Sequence, residues 1–430
     1  MYLILRSDRI NNMKQSPGQG IFALRKRFFV LSAALVLFLL TLWPAIAAEI
    51  TLPKLEMASR GRMDNGEFVV SSFLSADFAL TGGYKYAFLL GFSLDAPNIA
   101  QAFANRNFKV EPVLPGGSVS GEDYNALAAK VNNQAVLGFR IAKATLRDIF
   151  GSPLELSYFF GSGDDFCTGD EFSSLFGLSP IGTEFRGFLY FPDGIGFNQM
   201  RQYNGIHGVR GTGLSFSLAK WDKFIPMLYL YQDFTSPDNM LDGKSLYSGD
   251  LRLLFYHNWL RMETFGGVSL NANKDASMRG GLMFHLDNGN GAEFFAQMGI
   301  PGWITGEKFT IDNLFFLIEP RLRFGLLGVY VTFFYHPAVY LHIITPEERG
   351  KADFNIKFRL GKPDSGFAGG IETGGELKIE GLEDFVFRIS PFVSFISDGL
   401  RWDAKIRLMP LDYDVPHEMF ELFIGVRTAF

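Results

Sequence analysis

The chain has 430 residues, 15% of them aromatic, with 47 glycines, one cysteine and a formal net charge of −5. A lone cysteine, Cys167, excludes an internal disulfide, so burial and hydrogen bonding must hold the fold. The acidic balance argues against a nucleic-acid partner, whose phosphates call for a basic surface.

In chain order, the first element is Arg25-Lys26-Arg27 followed by an apolar run from Phe28 to Trp43, broken only by Ser32 and Thr41. A basic stretch, an apolar stretch and the small residues Ala45-Ile46-Ala47-Ala48 make the pattern of a secretory signal peptide, with cleavage expected after Ala47 or Ala48. The run is long enough to stay as a membrane anchor, but the small residues at its end favour cleavage. Residues 1–47 are therefore read as signal peptide, and their removal leaves 34 basic against 44 acidic residues, a formal charge of −10. No cysteine stands beside the cleavage site to take a lipid. No later apolar stretch reaches the roughly 18 residues that a membrane-spanning helix needs, so a membrane would have to be entered by strands.

From Tyr84 the chain alternates: Tyr84, Tyr86, Phe88, Leu90, Phe92 and Leu94 share one face, and Lys85, Ala87, Leu89, Gly91 and Ser93 the other. The same period of two recurs at Phe354, Ile356, Phe358 and Leu360 against Asn355, Lys357 and Arg359. It returns at Leu400, Trp402, Ala404, Ile406 and Leu408 against Arg401, Asp403, Lys405 and Arg407. One face suits lipid and the other water. Turn signals such as Gly151-Ser152-Pro153, Asp287-Asn288-Gly289-Asn290-Gly291 and Ser397-Asp398-Gly399 separate the strands. Hydrocarbon offers no hydrogen bonds, so such strands must close into a ring. The pattern predicts an all-β fold, a closed antiparallel transmembrane β-barrel of about 14–18 strands, with eighteen as the tally from about residue 66. Residues 95–133 read either as a plug folded into the lumen or as a long surface loop.

The last strand places Phe420, Leu422, Ile424, Val426, Thr428 and Phe430 on one face, and Glu421, Phe423, Gly425, Arg427 and Ala429 on the other. This resembles the C-terminal strand of bacterial outer-membrane barrels, which ends in an aromatic residue and is read by the barrel-assembly machinery. The phenylalanine content faintly resembles that of spirochaete outer-membrane proteins. The resemblance implies a periplasmic segment at 48–65 and a barrel over 66–430, located in the outer membrane. It also implies lipid, periplasmic chaperones and the assembly machinery as partners, with Phe420, Leu422, Ile424, Val426 and Phe430 as the assembly signal. Monomer and trimer both stay open.

Signals for chemistry are sparse. The six histidines, His207, His257, His285, His336, His342 and His417, form no metal-ligand spacing, and no His-x-Ser like that of outer-membrane phospholipases occurs. Gly243-Lys244-Ser245 lacks the rest of a phosphate-binding loop, and the acidic run Gly163 to Glu171 reads as a solvated loop. No enzyme, cofactor or metal is expected. Charge on a lipid face would cost about 2–4 kcal/mol at mid-membrane, so the alternation directs Arg252, Arg261, Arg279, Arg321, Arg323, Lys357, Arg359, Arg388, Arg401, Lys405 and Arg407 inward, with Arg140 and Arg427. Acids on the same face include Glu263, Glu319 and Asp403, with Glu293, Glu376 and Glu421. Such a wall resembles that of porins, where facing charges make a transverse field, and implies passive diffusion of small polar or anionic solutes. The alternative is a barrel similar to the long-chain fatty-acid transporters, a family with fourteen strands and a plug; a surface adhesin ranks below both.

Overall fold

In the computed structural model the alternating segments form one continuous sheet. The structure describes residues 49–64, 66–96, 108–110, 135–184, 205–218, 223–234, 246–270, 276–336, 351–362, 366–378, 385–411 and 419–428, all within one unit, Ala48–Phe430. The expected signal peptide at residues 1–47, Phe430 and most of the plug-or-loop stretch 95–133 lie outside the described residues.

The strands are β1 (Glu49–Asp64), β2 (Glu67–Gly82), β3 (Tyr86–Ala96), β4 (Phe108–Val110), β5 (Ala135–Leu146), β6 (Leu154–Phe166), β7 (His207–Leu218), β8 (Phe224–Asp233), β9 (Leu246–His257) and β10 (Leu260–Leu270). After them come β11 (Ala276–Asp287), β12 (Ala292–Ile304), β13 (Phe315–Phe324), β14 (Leu327–His336), β15 (Lys351–Gly361), β16 (Phe367–Lys378), β17 (Val386–Ser397), β18 (Leu400–Leu408) and β19 (Phe420–Thr428). Apart from β4, which lies parallel beside β5, each strand pairs antiparallel with its neighbours in sequence. The ring closes where β1 meets β19, from Glu56 opposite Arg427 to Arg62 opposite Glu421, giving a barrel of 18 antiparallel strands.

The first of these strands corrects the expected boundary, because residues 48–65 were read as a periplasmic segment and Glu49–Asp64 is instead β1. Its outward positions run Leu55, Met57, Ser59, Gly61 and Met63, with two small residues among them and a register shift between Thr51 and Lys54 before them, so its alternation is short. Ser59 Oγ and Ser72 Oγ lie 2.8 Å apart across the β1–β2 pair, meeting each other's hydrogen-bonding need on that face.

Two faces are sharply distinguished. Leu230, Leu251, Met298, Leu322, Phe333, Phe358, Val393, Trp402, Ile406 and Ile424 remain exposed on the convex side. Their sequence neighbours, among them Arg252, Arg321, Arg359, Arg407 and Phe423, are buried on the concave side, where side chains converge. The eight connections that follow β2, β5, β7, β9, β11, β13, β15 and β17 are short and lie at one end, with the start of β1 and the finish of β19. The opposite end carries the longer connections, and from it the chain after β6 turns inward.

Candidate functional site

The inward turn begins where β6 loses register between Ser162 and Asp165. Cys167 follows in the left-handed region at φ 60, a conformation costly for a side chain bearing a Cβ. It is held there from both sides. Its N–H donates to Glu263 Oε1 of β10 at 2.6 Å, and its carbonyl accepts from Gln297 Nε2 of β12. Gly169, at φ 87, comes so close to the chain returning past it that a Cβ would stand 2.0 Å from the Ile181 carbonyl oxygen. Between them runs a short helix α1 (Glu171–Phe176), ended by Gly177 at φ 65 with Leu178 N–H donating to the Phe172 carbonyl at 3.2 Å.

Residues 167–184 then lie along the inside of the wall. Phe166, Cys167, Phe172, Ile181 and Ile206 pack into one apolar cluster with Tyr229 and Met227 of β8, Leu254 of β9, Phe265 of β10, Met283 of β11, Phe295 of β12, Phe315 and Leu317 of β13, and Phe334 of β14. Phe166 meets the Tyr229 and Phe265 rings at 5.2 Å each. Each such large side chain contributes about 1.5–3 kcal/mol by leaving water. The inner face therefore departs from the expectation of a wall that is polar throughout. From β7 to β14 it carries an apolar stripe, and the chain's own segment covers that stripe.

Polar contacts fix the segment at intervals. Arg252 Nε donates to Glu263 Oε1 at 2.8 Å, its Nη2 reaches the Asp165 carbonyl at 3.1 Å, and its guanidinium lies 4.8 Å above the Phe166 ring. Arg261 Nη1 donates to the Ser179 carbonyl at 2.7 Å, and Arg321 Nη2 donates to the Gly182 carbonyl. Thr183 Oγ1 donates to Glu319 Oε2 at 2.5 Å, and Glu184 N–H donates to Glu319 Oε1 at 3.0 Å. At its described end the Glu184 carboxylate meets Arg359 Nη1 at 3.0 Å and Lys357 Nζ at 3.6 Å, both on β15. β15 is the ninth strand on from β6, half a circuit of the 18-strand ring. The segment thus covers one half of the inner wall.

The sequence-derived candidates divide accordingly. Arg252, Glu263 and Glu319 have no accessible surface and serve to hold the segment rather than to line free lumen. Arg279 of β11 pairs with Asp250 at 2.7 Å, while Arg321 and Arg323 of β13 both approach Glu293 of β12. On the half beyond the described part of the segment, acids and bases form ladders along the wall. Lys405 and Lys357 share Glu372, at 2.6 and 3.2 Å. Arg388 meets Asp353 at 3.1 Å, and Arg401 and Arg427 flank Asp403 at 3.1 and 3.7 Å. Arg407 reaches Glu421 at 2.6 Å, with Arg60 of β1 on the same carboxylate. Arg140 pairs with Asp77 of β2. The expected field between facing walls gives way to partners on neighbouring strands of the same wall. Outward on β19 stand Phe420, Leu422, Ile424 and Val426, opposite their Glu421, Phe423, Gly425 and Arg427 neighbours.

The acidic run read as a solvated loop is in fact engaged. Asp164 and Asp165 close β6 against Lys143 and Arg210, and Glu171 faces Arg252 at 3.9 Å. Burial pushes the Glu171 carboxyl up to about 7, with Arg252 opposing and Asp164 and Glu263 adding to the rise. Burial would also raise Glu184, but Lys357, Arg359, Arg321 and Arg401 outweigh it and hold that carboxyl at about 2. Burial and the Glu263 charge push the Cys167 thiol up. Among the described residues no group of His, Cys, Asp and Glu is placed to hold a metal ion.

No family model matches this sequence, and no curated protein matches it. Among solved structures, Pseudomonas aeruginosa OccK8 (OprE) is similar over 89% of this chain and 98% of its own, at 10% identity and a TM-score of 0.45. Acinetobacter baumannii OccAB4 is similar over 89% and 97%, at 10% identity and 0.45. A variant of the Rh. blastica porin covers 88% of this chain and 99% of its own, at 9% identity and 0.41. At those values the likeness is one of broad barrel form, and function has to be built from this chain's own residues.

Proposed function

We propose that the chain is an outer-membrane channel through which small polar solutes, anions among them, diffuse passively. The observation that carries this reading is the division of the inner wall. One half is apolar and packed by the chain's own segment; the other, from β15 through β19 and β1 to β5, bears ion-paired charges beyond the described part of that segment. Eighteen strands spaced about 4.8 Å apart and tilted about 40° give a backbone diameter of roughly 35 Å. Among the described residues, two layers of side chains and a segment about 10 Å across leave a width on the order of 10 Å. Solutes of that size pass without any residue performing chemistry.

Neighbouring acids and bases largely cancel one another, so selection by charge rests on the more accessible ladder members, such as Arg140 and Arg427. The outward row of apolar residues fits a lipid partner, and the signal peptide together with the β19 row and Phe430 fits export and delivery to the barrel-assembly machinery by periplasmic chaperones. Eighteen strands and a charged half-wall speak against the fatty-acid-transporter alternative, with its fourteen strands and apolar pocket.

Conductance of the purified protein in a planar bilayer tests the proposal. A steady ohmic current in potassium chloride is the expected result. An electrically silent barrel that purifies with bound lipid would refute it.

A further inference from the structure

The hairpin of β1 and β2 is longer than the wall it joins. Both strands have 16 residues, and no other described strand exceeds 13. A tilted strand crosses the hydrocarbon in about 9–11 residues, which leaves a surplus of about five to seven. β2 passes to β3 through a short connection, so the surplus stands at the end that carries the longer ones.

There the two strands differ. β1 stays paired to β19 as far as Arg62. β2 pairs with β3 only from Leu74, opposite Ala96, so Glu67 to Ser72 have, among the described residues, a strand on the β1 side alone. Alternate residues of that stretch turn a backbone N–H and C=O to an open edge. Hydrocarbon satisfies no hydrogen bond, so the edge belongs in water.

Proteins that keep an edge in water guard it with Pro, Lys or a bulge. The run Glu67-Phe68-Val69-Val70-Ser71-Ser72 has no Pro, Gly or Lys, and its register with β1 is unbroken from the tip down to Lys54. Phe68, Val69 and Val70 are 55, 38 and 60% exposed. The edge is also held ready. Gly66 at φ 83 sits in a tight turn, and the Ser59 and Ser72 hydroxyls bridge the hairpin. A Cβ at Gly61 would stand 2.5 Å from the Phe68 ring, so that ring leans toward β1 and leaves the edge clear. Elsewhere on the rim an edge is capped by an added strand. β6 is unpaired with β5 beyond Ile141, and β4 lies beside Ala135 to Leu137, whose other edge β3 holds.

We propose that the β2 edge from Glu67 to Ser72 binds an extended segment of another polypeptide as an added antiparallel strand. A second barrel in the same membrane does not fit. A two-fold axis along the membrane normal makes two edge strands, each tilted about 40°, cross at about 80°. The last hairpin pair sets the acids Asp64 and Glu67 opposite each other, against one base nearby, Arg62. An antiparallel partner brings its C-terminal end to that tip, so that end is basic. Its side chains are apolar where they meet Phe68 and Val70. The proposal rests on the barrel standing in a membrane and not on whether it conducts.

The test uses the full barrel in lipid nanodiscs and fluorescent peptides of about seven alternating valines and threonines with lysine at the C-terminal end, followed by anisotropy. Two further versions are N-methylated, one at the odd and one at the even amides. A strand turns only one of these sets to the edge, so one version is expected to keep the parent's affinity and the other to lose at least about tenfold. Glu67→Gln, or lysine at the N-terminal end instead, is expected to weaken binding about threefold. Hydrogen exchange reads the unaltered protein directly: alternate amides from Glu67 to Ser72 are expected to exchange freely without peptide and slowly with it. Equal affinities of the two methylated versions overturn the inference, as does no binding of the parent peptide at millimolar concentration. So do amides already protected without peptide, whether by the same chain or by a second copy seen as a dimer in ultracentrifugation. Equal affinity for either lysine placement overturns the basic-ended antiparallel partner. A barrel that passes this test and carries no current refutes the channel reading alone.

Discussion

Replacing Arg252 by Met removes the cation at the centre of the segment's attachment while keeping its volume. In the folded protein Arg252 has no accessible surface and joins Glu263, the Asp165 carbonyl, Glu171 and the Phe166 ring. The substitution leaves the Glu263 carboxylate enclosed, with only the Cys167 N–H on one oxygen and no partner for Oε2. Breaking a buried pair in this way costs about 3–5 kcal/mol. Since about 1.4 kcal/mol is a factor of ten, the undocked population of the segment should rise by roughly two to three orders of magnitude. Cys167 is the chain's single thiol and is fully buried beneath the segment, so it reports undocking directly. Its rate of reaction with a maleimide in detergent should rise about a hundredfold or more in Arg252→Met. Arg261→Ala is the reference: it removes one exposed hydrogen bond to Ser179, worth about 0.5–1.5 kcal/mol, and should accelerate labelling about tenfold at most. Labelling of Arg252→Met within threefold of the unaltered protein would mean that the apolar stripe holds the segment and that the buried pair contributes little.

Proton linkage gives the second prediction. The Glu171 carboxyl is raised to about 7, so its contribution to docking is full below about pH 4.5 and is lost as pH rises through about 7. The ratio of Cys167 labelling rates, unaltered over Glu171→Gln, should climb across that window; a flat ratio refutes it. Glu184 is depressed to about 2, so its contribution holds above about 4.5 and vanishes only as pH falls through about 2. On the outer face, Ile424→Arg sets a charge at a half-exposed apolar position and should cost about 2–4 kcal/mol of folding stability in lipid vesicles. An equal stability in detergent-free buffer would argue that no lipid meets that face. Deleting Phe430 should lower the amount of heat-resistant barrel recovered from cell envelopes, and unchanged recovery would remove it from the assembly signal.

Period-two alternation was legible from the sequence wherever one face is bulky and apolar and the other charged, as in β15, β18 and β19. It failed in two instructive places. In β1 the outward face thins to Ser59 and Gly61 between Met57 and Met63, and a register shift between Thr51 and Lys54 breaks its phase, so its period runs only briefly. On the inner side of β7 to β14 the wall itself is apolar, and a reading that sends every apolar residue outward cannot see it. A signal was nevertheless present. The doublets Phe159-Phe160, Phe294-Phe295, Phe315-Phe316 and Phe333-Phe334 place two rings on opposite faces of one strand. The inward members Phe159, Phe295, Phe315 and Phe334 are all nearly or wholly buried under the segment. Adjacent aromatics on a two-faced strand thus mark where the inside is covered by more protein. Which segment covers it was not readable, because the acidic run Gly163 to Glu171 matches a solvated loop in composition. Its anchors, Glu263, Gln297 and Arg252, lie far away in the chain.

The two halves of the inner wall should also answer differently to salt, and this separates attachment from selection. Arg140 on the ladder-bearing half has 38% of its side chain accessible, so its field reaches a solute through water and counter-ions screen it. Arg140→Gln leaves Asp77 unpaired and makes that wall more negative by one charge, so the reversal potential under a salt gradient should move toward cation preference. At about 0.1 M salt the screening length is about 10 Å, comparable with the opening, and the shift should be plain; at about 1 M it is about 3 Å and the shift should nearly vanish. Arg252 and Glu263 meet inside protein, where ions do not enter, so the labelling effect of Arg252→Met should be the same at both salt concentrations. If the two effects depended on salt alike, water would reach both sites equally, and the segment could not be sealing the half-wall on which its attachment depends.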